Sequence, residues 1–283
     1  MIPLFDKNSV VRALGAAGLL AAVAAAHAAD PWAAEVIRYD PGSSPAAGYT
    51  APTMSLGPPT RVTGGFFGFP SNVTMFNPPF GPDEIVSIGE GGHLTVRFDR
   101  SISDDPGHLH GVDLIVFGKL AFIDADYPNG RQFSPPLTFG SSPLAVEVSA
   151  DGQTFVPVAR PANALFPTQA WLDAPADGSG TAGVPADFLK PMNPALTLAD
   201  FSGLSYAQSL ARYDGSGGGT PIDLAGTGLA EAWYVRLTLA DDGNPDTQLH
   251  GEIDALAAVP EPTTAALIGL ATLLGRRVRR RGH

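Results

Sequence analysis

The chain has 283 residues with 33 glycines, 27 prolines and no cysteine, so it is long enough to bury a core but excludes a disulfide framework, a thiolate metal site and a cysteine nucleophile. Residues 30–262 hold ten of the 17 Lys and Arg but 27 of the 28 Asp and Glu, which gives them a net charge of −17. So acidic a surface repels nucleic acid and anionic lipid, and it is compatible with cations or neutral sugars.

The N-terminal 28 residues have the pattern of a secretory signal peptide. Basic Lys7 and Arg12 precede an apolar run over residues 13–26, and Ala26-His27-Ala28 has the small-x-small pattern of a cleavage site. We therefore expect this segment to be removed during export through the inner membrane. A buried N-terminal helix is the alternative, but the run has no polar face to support it.

Residues 29–82 are dense in Pro, Gly, Ser and Ala. This composition predicts an ordered but irregular arm with one strand near residues 36–39. The aromatic stretch 64–69 is expected to pack the arm onto the sheets that follow.

Residues 83–258 alternate between short apolar patterns and turn signals, which predicts one β-domain. The predicted strands are 84–88, 93–98, 113–118, 144–149, 155–158, 232–239 and 253–259. The run 113–118 is continuously apolar, as is typical of a central strand covered on both faces. Asp151-Gly152 predicts a hairpin, since both turn residues tolerate positive φ.

Residues 161–220 have weaker patterns, and the Gly-rich stretch 215–219 is expected to be a flexible loop. Helical periodicity is scarce between the two terminal segments. Many short strands separated by turns therefore predict an all-β fold, an antiparallel β-sandwich.

The last 25 residues combine a proline turn, an apolar run and a basic cluster. The motif Val259-Pro260-Glu261-Pro262 ends the last strand, because proline fixes φ and lacks an N–H donor. Residues 263–274 are apolar or nearly so. The arginines that follow are Arg276, Arg277, Arg279, Arg280 and Arg281.

Arginines beside an apolar span remain on the cytoplasmic side, so the tail predicts a short transmembrane helix with the folded body outside. Twelve helical residues extend about 18 Å, against the roughly 30 Å hydrocarbon core of a bilayer. This length suits a transient sorting segment better than a permanent anchor.

Taken together, the motif, the apolar run and the arginine cluster resemble the PEP-CTERM sorting signal of Gram-negative bacteria. The resemblance implies recognition by an exosortase, a membrane cysteine protease, with cleavage near the motif. It also implies release or transfer of the body to the cell surface or to the exopolysaccharide matrix of a biofilm. A plain C-terminal membrane anchor is the alternative.

The body resembles secreted bacterial cell-surface domains with a galactose-binding-like jelly roll, which are often found ahead of PEP-CTERM tails. The blocks that carry this resemblance are 91–98, 112–118, 146–155, 219–224, 233–237 and 252–256. The family often follows Val-Phe with Glu-Asn, where this chain has Gly118-Lys119. A site that uses that glutamate is therefore not implied here.

Two similar strand entrances, 109–113 and 249–254, each contain His-Gly followed by Asp. If they begin neighbouring strands, four side chains converge at one end of the sandwich, with His108 as a further imidazole. The four are His110, Asp113, His250 and Asp254. Histidine with carboxylate suits Zn²⁺ or another transition ion. The ordinary alternative is that these groups bond turn N–H groups and backbone oxygens.

A structural Ca²⁺ site is a second possibility for the carboxylates. Its candidate ligands are Asp113, Asp223 and Asp254, which all fall on the blocks that resemble the cell-surface family.

Aromatic residues in predicted loops are candidates for a sugar-binding platform, because planar rings stack on the apolar faces of sugars. The candidates are Trp171, Tyr127 and Tyr213. The alternative is that a loop tryptophan fills a packing gap. Trp233 begins a strand and is expected in the core.

The sequence contains no G-x-S-x-G elbow, P-loop, G-x-G-x-x-G at a strand–helix junction or H-E-x-x-H. The favoured function is therefore a non-enzymatic surface or matrix protein, with an exosortase as a transient partner. The first alternative is a carbohydrate-binding module for the matrix polysaccharide, with Ca²⁺ ordering its loops. The second is a hydrolase, since carboxylates are numerous enough for a glycosidase pair.

Overall fold

The computed structural model describes residues 30–64, 69–163, 165–244 and 248–261. The predicted signal peptide, most of the aromatic stretch at 64–69, and the apolar and basic parts of the tail lie outside these ranges. Within them, no helix is both long enough and apolar enough to cross a membrane.

Strands dominate the described residues. In chain order they are β1 (Ala33–Asp40), β2 (Val62–Thr63), β3 (Ser71–Asn72), β4 (Val86–Gly89), β5 (His93–Ser103), β6 (Leu114–Gly118), β7 (Leu120–Phe122), β8 (Thr138–Gly140), β9 (Ala145–Ser149), β10 (Val156–Pro157), β11 (Thr220–Ile222), β12 (Glu231–Thr238) and β13 (His250–Ala258). Helical structure in the same ranges consists of α1 (Tyr206–Tyr213) and the short 3₁₀ segments Pro52–Ser55, Leu109–Gly111 and Leu198–Phe201. Each predicted strand overlaps one of the observed strands.

Two antiparallel sheets form the centre of the body. One has the strand order β1-β5-β12-β9-β10, and the other has the order β11-β6-β13-β4. Both sheets contribute to one buried apolar cluster, which includes Val96 of β5 and Val235 of β12 from the first sheet and Val116 of β6 and Leu256 of β13 from the second. The fold is therefore all-β, antiparallel and sandwich-like, as the sequence predicts.

Strand β6 is buried on both faces, which confirms the prediction from its apolar run. Leu114 and Val116 belong to the cluster between the two sheets. Ile115 and Phe117 belong to a second cluster, in which Phe188 packs on Phe117 with ring centroids 5.4 Å apart. Side chains on both faces of the strand are thus removed from water. Each buried aliphatic or aromatic side chain contributes about 1.5–3 kcal/mol to the stability of the fold.

The predicted Asp-Gly hairpin is also confirmed. The Asp151 carboxylate accepts the N–H groups of Gln153 and Thr154 at 2.8 Å each. Strand β10 then pairs antiparallel with β9. The side chain of Asp151 thus fixes the turn in the manner of an Asx turn.

The region predicted as an arm is joined to the sheets. The strand expected near residues 36–39 is part of β1, which pairs antiparallel with β5 at the edge of the five-stranded sheet. Thr60 bonds the buried carboxylate of Asp254 in β13. These contacts explain how a Pro- and Gly-rich segment is ordered without an extensive sheet of its own.

Residues 161–220, which have weak sequence patterns, form a third apolar cluster around α1. Its buried members are Met75, Phe122, Phe166, Met192, Phe201 and Tyr213. Helix α1 begins at a capping box, in which Ser205 and Gln208 each bond the backbone of the other. The Ser-x-x-Gln signal was present in the sequence, but the helix was not predicted.

The prediction that residues 215–219 form a flexible loop is wrong. The segment is largely buried, and the N–H groups of Gly217 and Gly219 donate to the carbonyls of Asp187 and Phe166. A Cβ on Gly219 would lie 2.7 Å from Ile115 Cγ2. Gly219 is therefore needed for the close approach of this segment to β6.

Gly219→Ala and Gly226→Ala form a matched pair that tests this packing. Both positions have positive φ, so both variants lose about 1–2 kcal/mol from the left-handed backbone. Of the two, Gly219 is also crowded, whereas a Cβ on Gly226 meets no described residue within 4 Å. We expect Gly219→Ala to lower the free energy of unfolding by about 1–3 kcal/mol more than Gly226→Ala, as measured by urea denaturation. Equal losses would contradict the close packing on β6.

Candidate functional site

Asp113, at the entrance to β6, is 1% exposed and joins three segments. Its Oδ2 accepts the N–H of Leu224 at 2.8 Å, and its Oδ1 accepts the N–H of Asp105 at 3.2 Å. Its main chain donates to the carbonyl of Ile222 and accepts the N–H of Val259. Burial raises the pKa of the Asp113 carboxyl, and the hydrogen bonds offset part of that rise.

His108 is oriented by Asp113. Its Nδ1 lies 2.8 Å from Asp113 Oδ1, and both side chains are buried. An ionised carboxylate only accepts hydrogen bonds, so Nδ1 carries a proton and the neutral ring has its lone pair on Nε2. Among the described residues this buried Nε2 has no hydrogen-bond partner, and Glu261 Oε2 lies 3.6 Å from it.

The loop before β6 holds the imidazole in this position. The His108 N–H donates to the carbonyl of Asp105, and the Gly111 N–H donates back to the carbonyl of His108. The 3₁₀ segment Leu109–Gly111 follows directly. The ring is therefore fixed by a closed turn as well as by Asp113.

Two carboxylates lie close to the His108 imidazole. Asp105 accepts the N–H of Gly107 at 2.8 Å, and Glu261 accepts the hydroxyl of Ser103. The pKa of the Asp105 carboxyl is lowered by the Gly107 N–H first, then by the Glu261 side chain, with a smaller effect of His108. Ligand atoms of Asp105, His108 and Glu261 all lie within 4.8 Å of one another.

A surface cleft of about 520 Å³ adjoins this group. Gly107, His108 and Leu109 line one side, and Val259 and Pro260 line another. The cleft gives small solutes and water access to the edge of the group. One imidazole and two carboxylates in this setting can either form an ion pair or hold a divalent cation.

The sequence pointed to only part of this group. His108 was expected as a further imidazole, but Asp105 was not among the predicted site residues. The Asp-x-x-His spacing at 105–108 was a local signal for that pair. Glu261 lies far along the chain, so only the closure of β13 against β6 brings it to His108.

The expected convergence of His110, Asp113, His250 and Asp254 is wrong. Strands β6 and β13 are neighbours but antiparallel, with Ala258 opposite Leu114 and Ile253 opposite Gly118. The entrances of the two strands therefore lie at opposite ends of the sheet. His250 Nε2 instead lies 3.3 Å from Glu252 Oε1, and His110 is exposed.

Only two of the three candidate Ca²⁺ ligands lie together. Asp113 and Asp223 lie together with Asp104, with one ligand atom of each within 4.8 Å of the others. Asp223 Oδ1 accepts the N–H of Ala225, as expected of a loop carboxylate. Asp254 is not part of this group, and Ca²⁺ binding stays a prediction.

Asp254 serves instead to attach the predicted arm. Its Oδ2 accepts the N–H of Thr60 at 2.9 Å, and its Oδ1 accepts the Thr60 hydroxyl at 2.9 Å. The carboxyl is 2% exposed, and burial raises its pKa to about 7. The two hydrogen bonds from Thr60 lower this pKa and the nearby Glu84 raises it, and these effects are smaller than that of burial.

The candidate sugar-binding aromatics have different environments. Tyr213 is 1% exposed and donates its hydroxyl to the Pro167 carbonyl, so its ring cannot stack on a sugar. Trp171 packs against the second cluster and donates its indole N–H to the Arg61 carbonyl at 3.0 Å, which favours the packing interpretation. Trp233, expected in the core, is only half-buried.

Tyr127 is the exposed member of the set, at 77%. It lines a cleft of about 480 Å³ together with Phe69, which is 75% exposed, and with Phe76. Polar side chains share the cleft, among them Asn77, Asp124 and Asp177. Exposed rings beside amide and carboxylate groups are the features expected of a sugar-binding surface.

The tail motif begins where the body ends. Val259 is buried, Pro260 is half-buried and Glu261 is exposed. The chain therefore passes from core to surface within three residues. Pro262 and the arginine cluster lie outside the described residues.

Comparison with known proteins gives no assignment: no family model matches the chain, and no curated protein matches it.

The buried carboxyl of Asp254 predicts a pH dependence of stability. In the unfolded chain this carboxyl has a pKa of about 3.9, so between about pH 4 and pH 7 the folded state keeps a proton that the unfolded state has released. The free energy of unfolding therefore falls as the pH rises through this interval, and the loss is complete above the folded pKa.

Asp254→Asn removes this titration. We expect urea denaturation to show that the wild-type chain loses about 2 to 3 kcal/mol more than Asp254→Asn between pH 5 and pH 8. Identical pH slopes for the two proteins would contradict the raised pKa.

Proposed function

We propose that this chain is a non-enzymatic protein of the cell surface or exopolysaccharide matrix, sorted through its C-terminal tail by an exosortase-type protease. The observation that carries the proposal is the position of the tail motif. Val259 is anchored by its N–H to the Asp113 carbonyl, and Glu261 is exposed two residues later. A protease in the membrane would thus meet the motif at a fixed distance from the folded body.

The body supports this proposal by its chemistry and its architecture. Its net charge of −17 keeps it soluble and disfavours adsorption on anionic lipid. The sandwich-like pair of antiparallel sheets is compatible with the galactose-binding-like jelly roll that the sequence resemblance implies. The lack of cysteine makes folding independent of the redox state of the compartment.

Glu261→Ala tests the sorting signal. In a Gram-negative host with an exosortase, we expect the wild-type chain to lose both its leader and its tail and to reach the surface or medium. The variant is expected to retain the tail and to stay in the inner-membrane fraction. Intact mass spectrometry of each cell fraction measures both outcomes.

Glu231→Ala, at another exposed glutamate, is the matched control and should be processed like the wild type. In a host without the protease, the wild-type chain should keep its tail. Full-length chain in the cytosol, or unchanged tail removal in Glu261→Ala, would contradict the proposal.

The second candidate function is binding of the matrix polysaccharide, and the cleft around Tyr127 favours it. Phe69 and Tyr127 present exposed rings there, and neither belongs to the three apolar clusters of the described residues. The Asp124 carboxylate accepts three backbone N–H groups, from Asp126, Gly130 and Arg131, and so orders the loop that carries Tyr127. This loop would present the ring without further ordering, which lowers the entropy lost on binding.

Tyr127→Ala tests sugar binding. We expect about ten-fold weaker binding to polysaccharide from the host, because a stacked ring contributes on the order of 1.5 kcal/mol. Phe139→Ala removes an exposed ring of β8 that does not line the cleft, and it should bind like the wild type. Glycan-array and calorimetric binding of the exported chain give the comparison. If the wild type binds no glycan, or if both variants bind equally, this function is wrong.

A further inference from the structure

We propose that Asp105, His108 and Glu261 bind one divalent transition-metal ion, such as Zn²⁺ or Mn²⁺. The site lies between the loop that precedes β6 and the residues that follow β13. It does not depend on the role of the tail in sorting, because Asp105 and His108 lie in the folded body and Glu261 is placed beside it by Val259, whose N–H donates to the Asp113 carbonyl.

The free nitrogen of His108 is the first argument. His108 is 4% exposed, and its Nε2 has no hydrogen-bond partner in the part of the chain that the structure describes. A buried polar atom without a partner is unfavourable, because it has lost its bonds to water and gained none in return. A metal ion that accepts the lone pair would satisfy this atom.

The two carboxylates are the second argument. One ligand atom each of Asp105, His108 and Glu261 lies within 4.8 Å of the other two. The distance of 3.6 Å between His108 Nε2 and Glu261 Oε2 exceeds that of a hydrogen bond. Two ligands that are each about 2.0–2.2 Å from a shared Zn²⁺ have this kind of spacing.

The third argument is the contact of Asp113 with the other ring nitrogen of His108, Nδ1. A metal-bound imidazole commonly donates its other N–H to a carboxylate, which fixes the tautomer and raises the basicity of the ligand. His108 Nδ1 and Asp113 Oδ1 have this relation at 2.8 Å. Leu224 and Asp105 in turn hold the Asp113 carboxylate through their N–H groups.

The donor set selects the class of metal. Ca²⁺ and Mg²⁺ prefer oxygen ligands throughout, whereas an imidazole with carboxylates suits Zn²⁺, Mn²⁺ and related ions. Three protein ligands leave at least one coordination position for water or a small anion. The adjoining cleft, lined by His108 and Pro260, provides access for it.

The test uses the full-length chain, purified in detergent from a host without an exosortase and freed of metal by a chelator. Isothermal titration calorimetry with Zn²⁺ should show one ion per chain, and equal concentrations of Ca²⁺ should not compete. Glu261→Gln should weaken binding at least ten-fold, since it removes one charged ligand from an exposed position. Circular dichroism confirms that the variant is folded.

A matched pair of histidine variants completes the test. His108→Asn should abolish stoichiometric binding, whereas His110→Asn, the same change at an exposed histidine nearby, should bind like the wild type. If His108→Asn fails to fold, Glu261→Gln and Asp105→Asn decide the question.

Two results would overturn the proposal. One is a wild-type chain that binds no Zn²⁺ or Mn²⁺, which would mean that His108 and Glu261 form an ion pair only. The other is unchanged binding in both His108→Asn and Glu261→Gln. Failure of sorting would leave the metal result intact, because His108→Asn removes the metal ligand without altering residues 259–262.

Discussion

The buried carboxylate of Asp113 is the interaction on which the rest of the described body depends. It fixes the loop before β6 through Asp105 and His108, and it fixes the chain after β11 through Leu224. The carbonyl of the same residue holds Val259 after β13. Removing water from a carboxylate is unfavourable unless such bonds replace it. The same bonds bring three distant segments to one end of the four-stranded sheet.

The four-stranded sheet positions the segments that Asp113 holds, so that their polar side chains meet at one end of the sheet. Its strands are covered on one face by the five-stranded sheet and on the other by residues of the second cluster, which include Ala170 and Phe188. Because β6 and β13 are buried between these layers, their ends have little freedom. The loop with His108 and the segment with Glu261 both adjoin these buried strand ends.

Local physical chemistry explains why the strands were predictable. The alternation of Leu94, Val96 and Phe98 indicates a strand buried on one face. The continuous apolar run of β6 indicates a strand buried on both faces. The Asp-Gly turn is predictable because both of its residues tolerate positive φ. The helix α1 and the packing of residues 215–219 were missed because their stability comes from contacts with Phe166, Ile115 and other residues far along the chain. Gly-rich sequence alone does not distinguish a linker from a close contact.

The order of charge and apolarity along the chain was determined by the sequence alone: the acidic body, the basic tail, the motif at 259–262 and the class of secondary structure. The neighbours of each polar group were decided only by the tertiary structure. Asp254 was an expected metal ligand and became the partner of Thr60, whereas Glu261 came to lie beside His108. The physical reason is strand direction: antiparallel pairing of β6 and β13 separates the two similar strand entrances and joins residues that no local pattern connects.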